Sequence, residues 1–254
     1  MEKLFEIIFE DGELVVVNKP AGLVCHPTKN GEMSSLIGRA RLYLNSQPST
    51  LNSQPHLINR LDRETSGVVL IAKNSEVAGE LGKILESRAI EKEYLAIVHG
   101  HVRENSGLID APLGKDEHSI VAVKDCVRAD GAPSQTEFFV ERRFVRLLTL
   151  NPQLSTFSLL RILPRTGRKH QIRIHLAHIG HAIVGDKLYG GDEDLYLALV
   201  QNRLTAAQRA RLIFAHHALH ARAVRFNWRS RPFEFSCEPE TWFANFAATD
   251  ESAR

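Results

Sequence analysis

Val68-Val69-Leu70-Ile71-Ala72 is an unbroken apolar run, and a run of that length and composition reads as a buried strand. It is entered through Thr65-Ser66-Gly67, a turn composition that the strand would hold rigid. Directly before the turn, Asn59-Arg60-Leu61-Asp62-Arg63-Glu64 places Asp62 between two guanidiniums. Arginine stays charged at any accessible pH, so these cations favour the ionised form of Asp62 and keep it available as a base or nucleophile. Aspartate is also a favoured turn residue with no chemical duty. A functional Asp62 therefore needs partners elsewhere in the chain.

The flanking sequence predicts further elements. Residues 6–17 read as two strands joined at Asp11-Gly12, a hairpin signature. Met33, Leu36, Ile37, Ala40 and Leu44 recur at helical spacing and predict a helix over about 34–44. From Asn45 to about Pro55 the Ser- and Pro-rich sequence predicts a loop. Val77, Leu81, Ile84 and Leu85 mark a second amphipathic helix, capped by Asn74 or Ser75. Residues 93–98 read as the next strand, and 135–140, 145–150 and 157–163 as separate short β runs. Helical spacing returns between Gly167 and Gly180, and Thr205-Ala206-Ala207-Gln208 fits a capping box. Many strands with few helices predict an α+β fold with a mixed, largely antiparallel sheet and flanking helices and loops. With no linker evident, the 254 residues are expected to form a single domain, with about 190–216 as a candidate insertion.

Hydrophobic residues at 43% and charged residues at 24% describe a soluble globular chain. No apolar run approaches the ~20 residues of a membrane span, and the first residues lack the pattern of a secretory signal. Cys25, Cys126 and Cys237 are scattered and odd in number, which favours a reducing compartment and a cytoplasmic location over a disulfide framework. The net charge is only +2, but 161–185 carries five cations and 203–231 seven arginines, each stretch without an acid. Such asymmetry predicts a basic face for a polyanion; the alternative is solvated arginines on different faces. Phosphate-loop and dinucleotide motifs are absent, and the histidines lack zinc-like spacing, so no cofactor or metal is expected.

Asp62 in its turn, Tyr94 in the following strand and Thr166-Gly167-Arg168-Lys169-His170-Gln171-Ile172-Arg173-Ile174-His175-Leu176 together resemble the RluA-type family of RNA pseudouridine synthases. The opening block from Leu14 to Val24 with His26-Pro27, the block from Gly180 to Gly190, and Leu219-His220-Ala221 follow in the family's order. The resemblance covers roughly residues 7 to 236. It implies an isomerase that converts a specific uridine to pseudouridine in structured ribosomal or transfer RNA, acting as a monomer without a cofactor. By resemblance, Asp62 is the nucleophile, Arg173 its positioning cation, and Tyr94 the stacking and proton-removing residue. Leu219 would pack beside the base, and Arg60, Arg63, Arg165, Arg168, Lys169 and His170 would contact the RNA.

Two departures stand out. Asn59 occupies a position where family members commonly have histidine, and the chain opens almost directly with the catalytic part, with no amino-terminal S4-type domain expected. Two other classes compete with this reading: a non-catalytic RNA-binding protein, hinted at by Asn59, and a metal-dependent hydrolase built on the histidines. Neither accounts for Asp62, Tyr94 and Arg173 occurring together in motif context.

Overall fold

A computed structural model describes residues 5–27, 31–47, 53–148 and 153–248. The chain forms two compact units, Met1–Glu93 with His220–Glu240 and Tyr94–Leu219 with Thr241–Arg254.

In the first unit, β1 (Glu6–Glu10) and β2 (Leu14–Lys19) form the hairpin that Asp11-Gly12 predicts. The turn closes on itself: the Asp11 carboxylate accepts from the backbone N–H of Glu13 at 2.8 Å and of Leu14 at 2.7 Å. After a 3-10 turn (Glu32–Ser34), α1 (Leu36–Asn45) starts where the Ser35 hydroxyl accepts from the Gly38 N–H. Of the predicted loop over 45–55, Asn45 closes α1 and residues 48–52 lie outside the described residues.

The short β3 (His56–Leu57) pairs with β4 (Ser66–Ala72), all seven residues of which are buried. Along its other edge β4 pairs antiparallel with β2. Asn74 rather than Ser75 caps α2 (Ser75–Glu86), accepting from Val77 N–H at 2.9 Å. β11 (Leu219–Trp228) joins β4 in parallel through His220–Ser66 and Ala221–Gly67, then turns back into β12 (Arg231–Ser236). The unit's core sets Leu14, Val16, Val68 and Leu70 against Val77 and Leu81 of α2 and the aromatic Phe226, Trp228 and Phe235.

The chain enters the second unit along β5 (Glu91–His99), followed by β6 (Ser106–Asp110), β7 (Leu113–Lys115) and β8 (Asp125–Val127). β9 (Gln135–Leu148) and β10 (Gln153–Pro164) complete an antiparallel sheet in the order β5-β10-β9-β6, while β7 and β8 form a separate ribbon. The expected run 135–140 and the described part of 145–150, through Leu148, are thus parts of one strand. The charged Glu141-Arg142-Arg143 hides this continuity in sequence, but each residue has sheet-side work. Glu141 pairs with Arg161 across to β10, the Arg142 guanidinium lies 5.5 Å from the Phe144 ring, and Arg143 donates to the carbonyls of Val102, Arg103 and Glu104.

Among the described residues, four helices complete the unit: α3 (Gln171–His178), α4 (Asp194–Val200), α5 (Ala206–Leu212) and α6 (Thr241–Ala247). α5 carries the predicted capping box between Thr205 and Gln208. The result is the expected α+β architecture, mixed in the first unit and antiparallel in the second.

Candidate active site

The Asp62 loop is tied down on both sides through its backbone. The Asn59 carboxamide donates to Val68 O at 3.1 Å and accepts from Leu70 N–H at 2.8 Å, bridging one edge position of β4. The Cys25 thiol donates to Leu61 O at 3.3 Å while Leu61 N–H approaches the same sulfur at 3.4 Å. Burial pushes the Cys25 thiol up, which keeps its proton available for that bond. Arg63 O accepts from Gly22 N–H at 2.8 Å, and Thr65 N–H donates to Asp62 O at 3.2 Å.

Lys19, fully buried, gathers three carbonyls: Pro20 O at 2.9 Å, Leu23 O at 2.8 Å and Arg63 O at 3.2 Å. Burial lowers its pKa to about 8, although the negative charge of Asp62 pulls the other way. Since the folded value lies below the ordinary 10.5, the unfolded chain binds the extra proton between about pH 8 and 10.5, and stability rises with pH across that window. The Lys19 contribution to this rise should be roughly 3 kcal/mol. Denaturant titrations at pH 7.5 and 10.5 should show it in the parent relative to Lys19→Met; equal pH dependence of the two proteins would contradict it.

Ser66 and Gly67 continue the anchoring. His220 Nε2 lies 3.0 Å from Cys237 O, an acceptor only, so Nε2 carries the proton and Nδ1 accepts from the Ser66 hydroxyl at 2.9 Å. Burial lowers the His220 pKa and keeps the ring neutral for this arrangement. Gly67 has φ +117°, and a Cβ there would lie 2.2 Å from Ala221 O. Only glycine allows β4 to approach β11 this closely.

In the second unit, Tyr94 is half-buried on β5 opposite Ile162, and Leu219 is buried in the unit's core. Arg173 lies on α3, whose first six residues are all buried. The loop before it is organised by Gln171, which accepts from Thr166 Oγ1 at 2.6 Å and Arg168 N–H at 3.0 Å and donates to Gln135 O and Thr136 Oγ1 at 2.9 Å each. His170 caps α3 in a left-handed conformation, φ 55°, with Nδ1 2.9 Å from the Tyr189 hydroxyl. Arg173 itself is bidentate with Asp186, Nε–Oδ2 at 2.7 Å and Nη2–Oδ1 at 2.9 Å.

The structure thus groups Asp62 with Arg60 and Arg63 in the first unit, and Tyr94, Arg165, Arg168, Lys169, His170, Arg173 and Leu219 in the second. Lys19 and Cys25 escaped the sequence reading because their contacts with the Asp62 loop span 44 and 36 residues. A lysine closing the apolar run Leu14–Val17 was the available sign.

The two acid-free stretches do not give acid-free surfaces. Arg161 pairs with Glu141, Arg165 with Glu137, Lys169 with Asp125 and Arg173 with Asp186. In the later stretch Arg211 meets Asp192, Arg222 meets Glu93, Arg225 meets Glu91, Glu93 and Glu234, and Arg229 meets Glu13 and Glu80. Folding sets these arginines beside acids that are distant in sequence. Among the described residues, Arg60 and Arg168 are exposed and enter no ion pair. Among the same residues, no three His, Cys, Asp or Glu side chains gather in a way that could hold a metal ion, and no helix is long and apolar enough to cross a membrane.

The architecture recurs in two human structures, RNA Pseudouridylate Synthase Domain Containing 1 and Domain Containing 4. Their TM-scores are 0.72 and 0.70 and their identities 23% and 24%; they cover 96% and 94% of this chain, and 88% and 90% of their own chains are covered. This defines the pseudouridine synthase catalytic fold. The family described as RNA pseudouridylate synthase matches residues 13–178. An "Uncharacterized RNA pseudouridine synthase" of Aquifex aeolicus is 32% identical over 96% of this chain and 73% of its own length. The "Dual-specificity RNA pseudouridine synthase RluA" of Vibrio vulnificus is 41% identical over 72% of this chain and 68% of its own. The "Ribosomal large subunit pseudouridine synthase D" of Nitrosomonas europaea is 36% identical over 73% of this chain, which spans about half (49%) of that relative. The chain belongs to the RNA pseudouridine synthase family, whose members are isomerases, as its resemblance to the RluA type implies.

Proposed function

We propose that this chain isomerises a specific uridine to pseudouridine in structured ribosomal or transfer RNA, working in the cytoplasm as a monomer and without a cofactor. The observation that carries this reading is the Asp62 loop: the anchoring bonds of Asn59, Cys25, Lys19 and Gly22 all fall on backbone groups, and the loop's aspartate stands within the family match. A carboxylate on a loop fixed in this way is preorganised for attack.

The reaction breaks the bond between the sugar C1′ and uracil N1, joins C1′ to C5, and moves a proton from C5 while N1 gains one. Asp62 serves as the nucleophile, Arg173 as the cation that keeps a carboxylate ionised and placed, and Tyr94 as a stacking surface whose phenol assists proton removal at C5. Leu219 packs beside the base. Extruding the target base from a duplex costs a few kcal/mol, of which stacking on an aromatic ring returns about 1–3 kcal/mol. Phosphate contacts from Arg60, Arg63, Arg165, Arg168, Lys169 and His170 supply the remainder, with exposed Arg60 and Arg168 the best placed electrostatically.

The names of the relatives support ribosomal RNA, one being called a ribosomal large subunit enzyme, and action on more than one RNA, another being called dual-specificity. The Asn59 bonds to Val68 and Leu70 give that residue a structural task compatible with catalysis. Pseudouridine mapping of total RNA from cells with and without the gene should lose one or a few sites in ribosomal or transfer RNA. Identical maps, together with no tritium release from C5-labelled RNA by the purified protein, would refute the reading.

A further inference from the structure

The segment Gly185–Gly190 is built with unusual definition around one buried acid. Gly185 has φ +81°, and a Cβ there would lie 2.5 Å from His216 O. The buried Lys187 ammonium donates to Gly185 O at 3.2 Å and Ala215 O at 2.7 Å. Within this frame Asp186 Oδ1 accepts the backbone N–H groups of Leu188 at 2.9 Å and Tyr189 at 3.0 Å, in addition to Arg173 Nη2. Its carboxylate has no solvent exposure. Burial alone would raise its pKa; the Arg173 charge and hydrogen bonds outweigh that and hold it below the ordinary carboxylate range, with His217 adding in the same direction.

Arg173 is consequently fixed in three ways. Its Nε–Nη2 edge is spent on Asp186, its face lies 5.0 Å from the Tyr189 ring centroid, and Tyr189 is itself held by its hydroxyl contacts with His170 and Asp125 N–H. A guanidinium locked in plane and rotation presents its Nη1 side in one direction only. A surface ion pair does not require such a frame, and a buried one usually stabilises little relative to apolar packing.

We infer that Asp186 is a positioning residue for catalysis: it sets the plane and direction of the Arg173 guanidinium, with Tyr189 as the second support. This rests on the reading above, in which Arg173 places the nucleophilic carboxylate. Asp186 touches neither RNA nor the reacting atoms in this role.

The test is a double-mutant cycle on the full chain, Asp186→Asn crossed with Arg173→Lys, with kcat and KM for tritium release referred to the concentration of folded protein. Asp186→Asn should lower kcat about 100-fold or more, the scale of a misplaced catalytic group, while KM for RNA changes less than about threefold. In the Arg173→Lys background, where no planar fork remains to be aimed, the same substitution should cost less than about threefold. A purely structural acid would lower the folded fraction but leave kcat per folded molecule intact, and that result overturns the inference; so does full additivity in the cycle. Should Asp186→Asn fail to fold, Asp186→Glu takes its place in the cycle. It keeps the charge pair but moves the carboxylate by one methylene, and a kcat within about twofold of the parent's would then overturn the inference. Asp62→Asn run alongside separates the two layers: if it retains turnover the functional reading fails and takes this inference with it, whereas an inactive Asp62→Asn beside an unaffected Asp186→Asn defeats this inference alone.

Discussion

Asp62→Asn is expected to reduce tritium release from C5-labelled uridine by more than about a thousandfold, a barrier increase of roughly 4 kcal/mol, while RNA binding stays within about tenfold of the parent's. The substitution preserves size and removes the charge, so it takes away the proposed nucleophile. It leaves the loop's anchors in place, because Asn59, Cys25, Lys19 and Gly22 act on the backbone groups of Leu61, Arg63, Val68 and Leu70. A release assay beside a binding titration on the same RNA decides the matter. Turnover within about tenfold of the parent would eliminate Asp62 as nucleophile, and parallel loss of binding and turnover would make its role structural.

The largest effect on folding is expected at Gly67. Any side chain there sits in a left-handed backbone region that costs about 1–3 kcal/mol. The alanine Cβ at 2.2 Å from Ala221 O would in addition force β4 and β11 apart. With total stabilities of about 5–15 kcal/mol for a domain, Gly67→Ala should abolish cooperative thermal unfolding or lower the midpoint by about 6 °C or more, taking about 2–4 °C per kcal/mol as the scale for a chain of this length. Gly79 provides the opposite control. It lies exposed within α2 with nothing within 4 Å of its would-be Cβ, so Gly79→Ala should raise stability by about 0.5–1 kcal/mol. A Gly67→Ala protein melting like the parent would show that the close approach is not required.

What could be read from the sequence was whatever is encoded locally. The Asp11-Gly12 hairpin, a cap at Asn74 or Ser75, the Thr205–Gln208 capping box and the buried strand after Asp62 each announce themselves within a few residues, and the structure contains all four, with Asn74 as the cap. The 14 residues of β9 did not, since Glu141-Arg142-Arg143 breaks the apolar alternation. Charge patterning along the chain misled for a related reason: an acid-free run is a property of neighbours in sequence, and Arg161, Arg165 and Lys169 meet their acids 20, 28 and 44 residues away. Tyr94 and Arg173 enter the proposed site through motif context, whereas the buried partners Asp186 and Lys19 emerge only when carbonyls, carboxylates and ammonium groups are placed in three dimensions.

The parallel pairing of β4 with β11 also has a temporal side. Ser66 and His220 are 154 residues apart, so at about 5–20 residues per second the ribosome needs roughly 8–30 seconds to deliver the second partner after the first. Throughout that interval the start of β4, directly after the Asp62 loop, lacks the neighbour that Gly67 is shaped to receive. Contacts this distant in sequence form late in folding as well as late in synthesis. A nascent chain therefore carries the complete Asp62 motif long before it possesses the strand that locks Ser66 and Gly67 in place, and maturation of the Asp62 loop is deferred until β11 has been made.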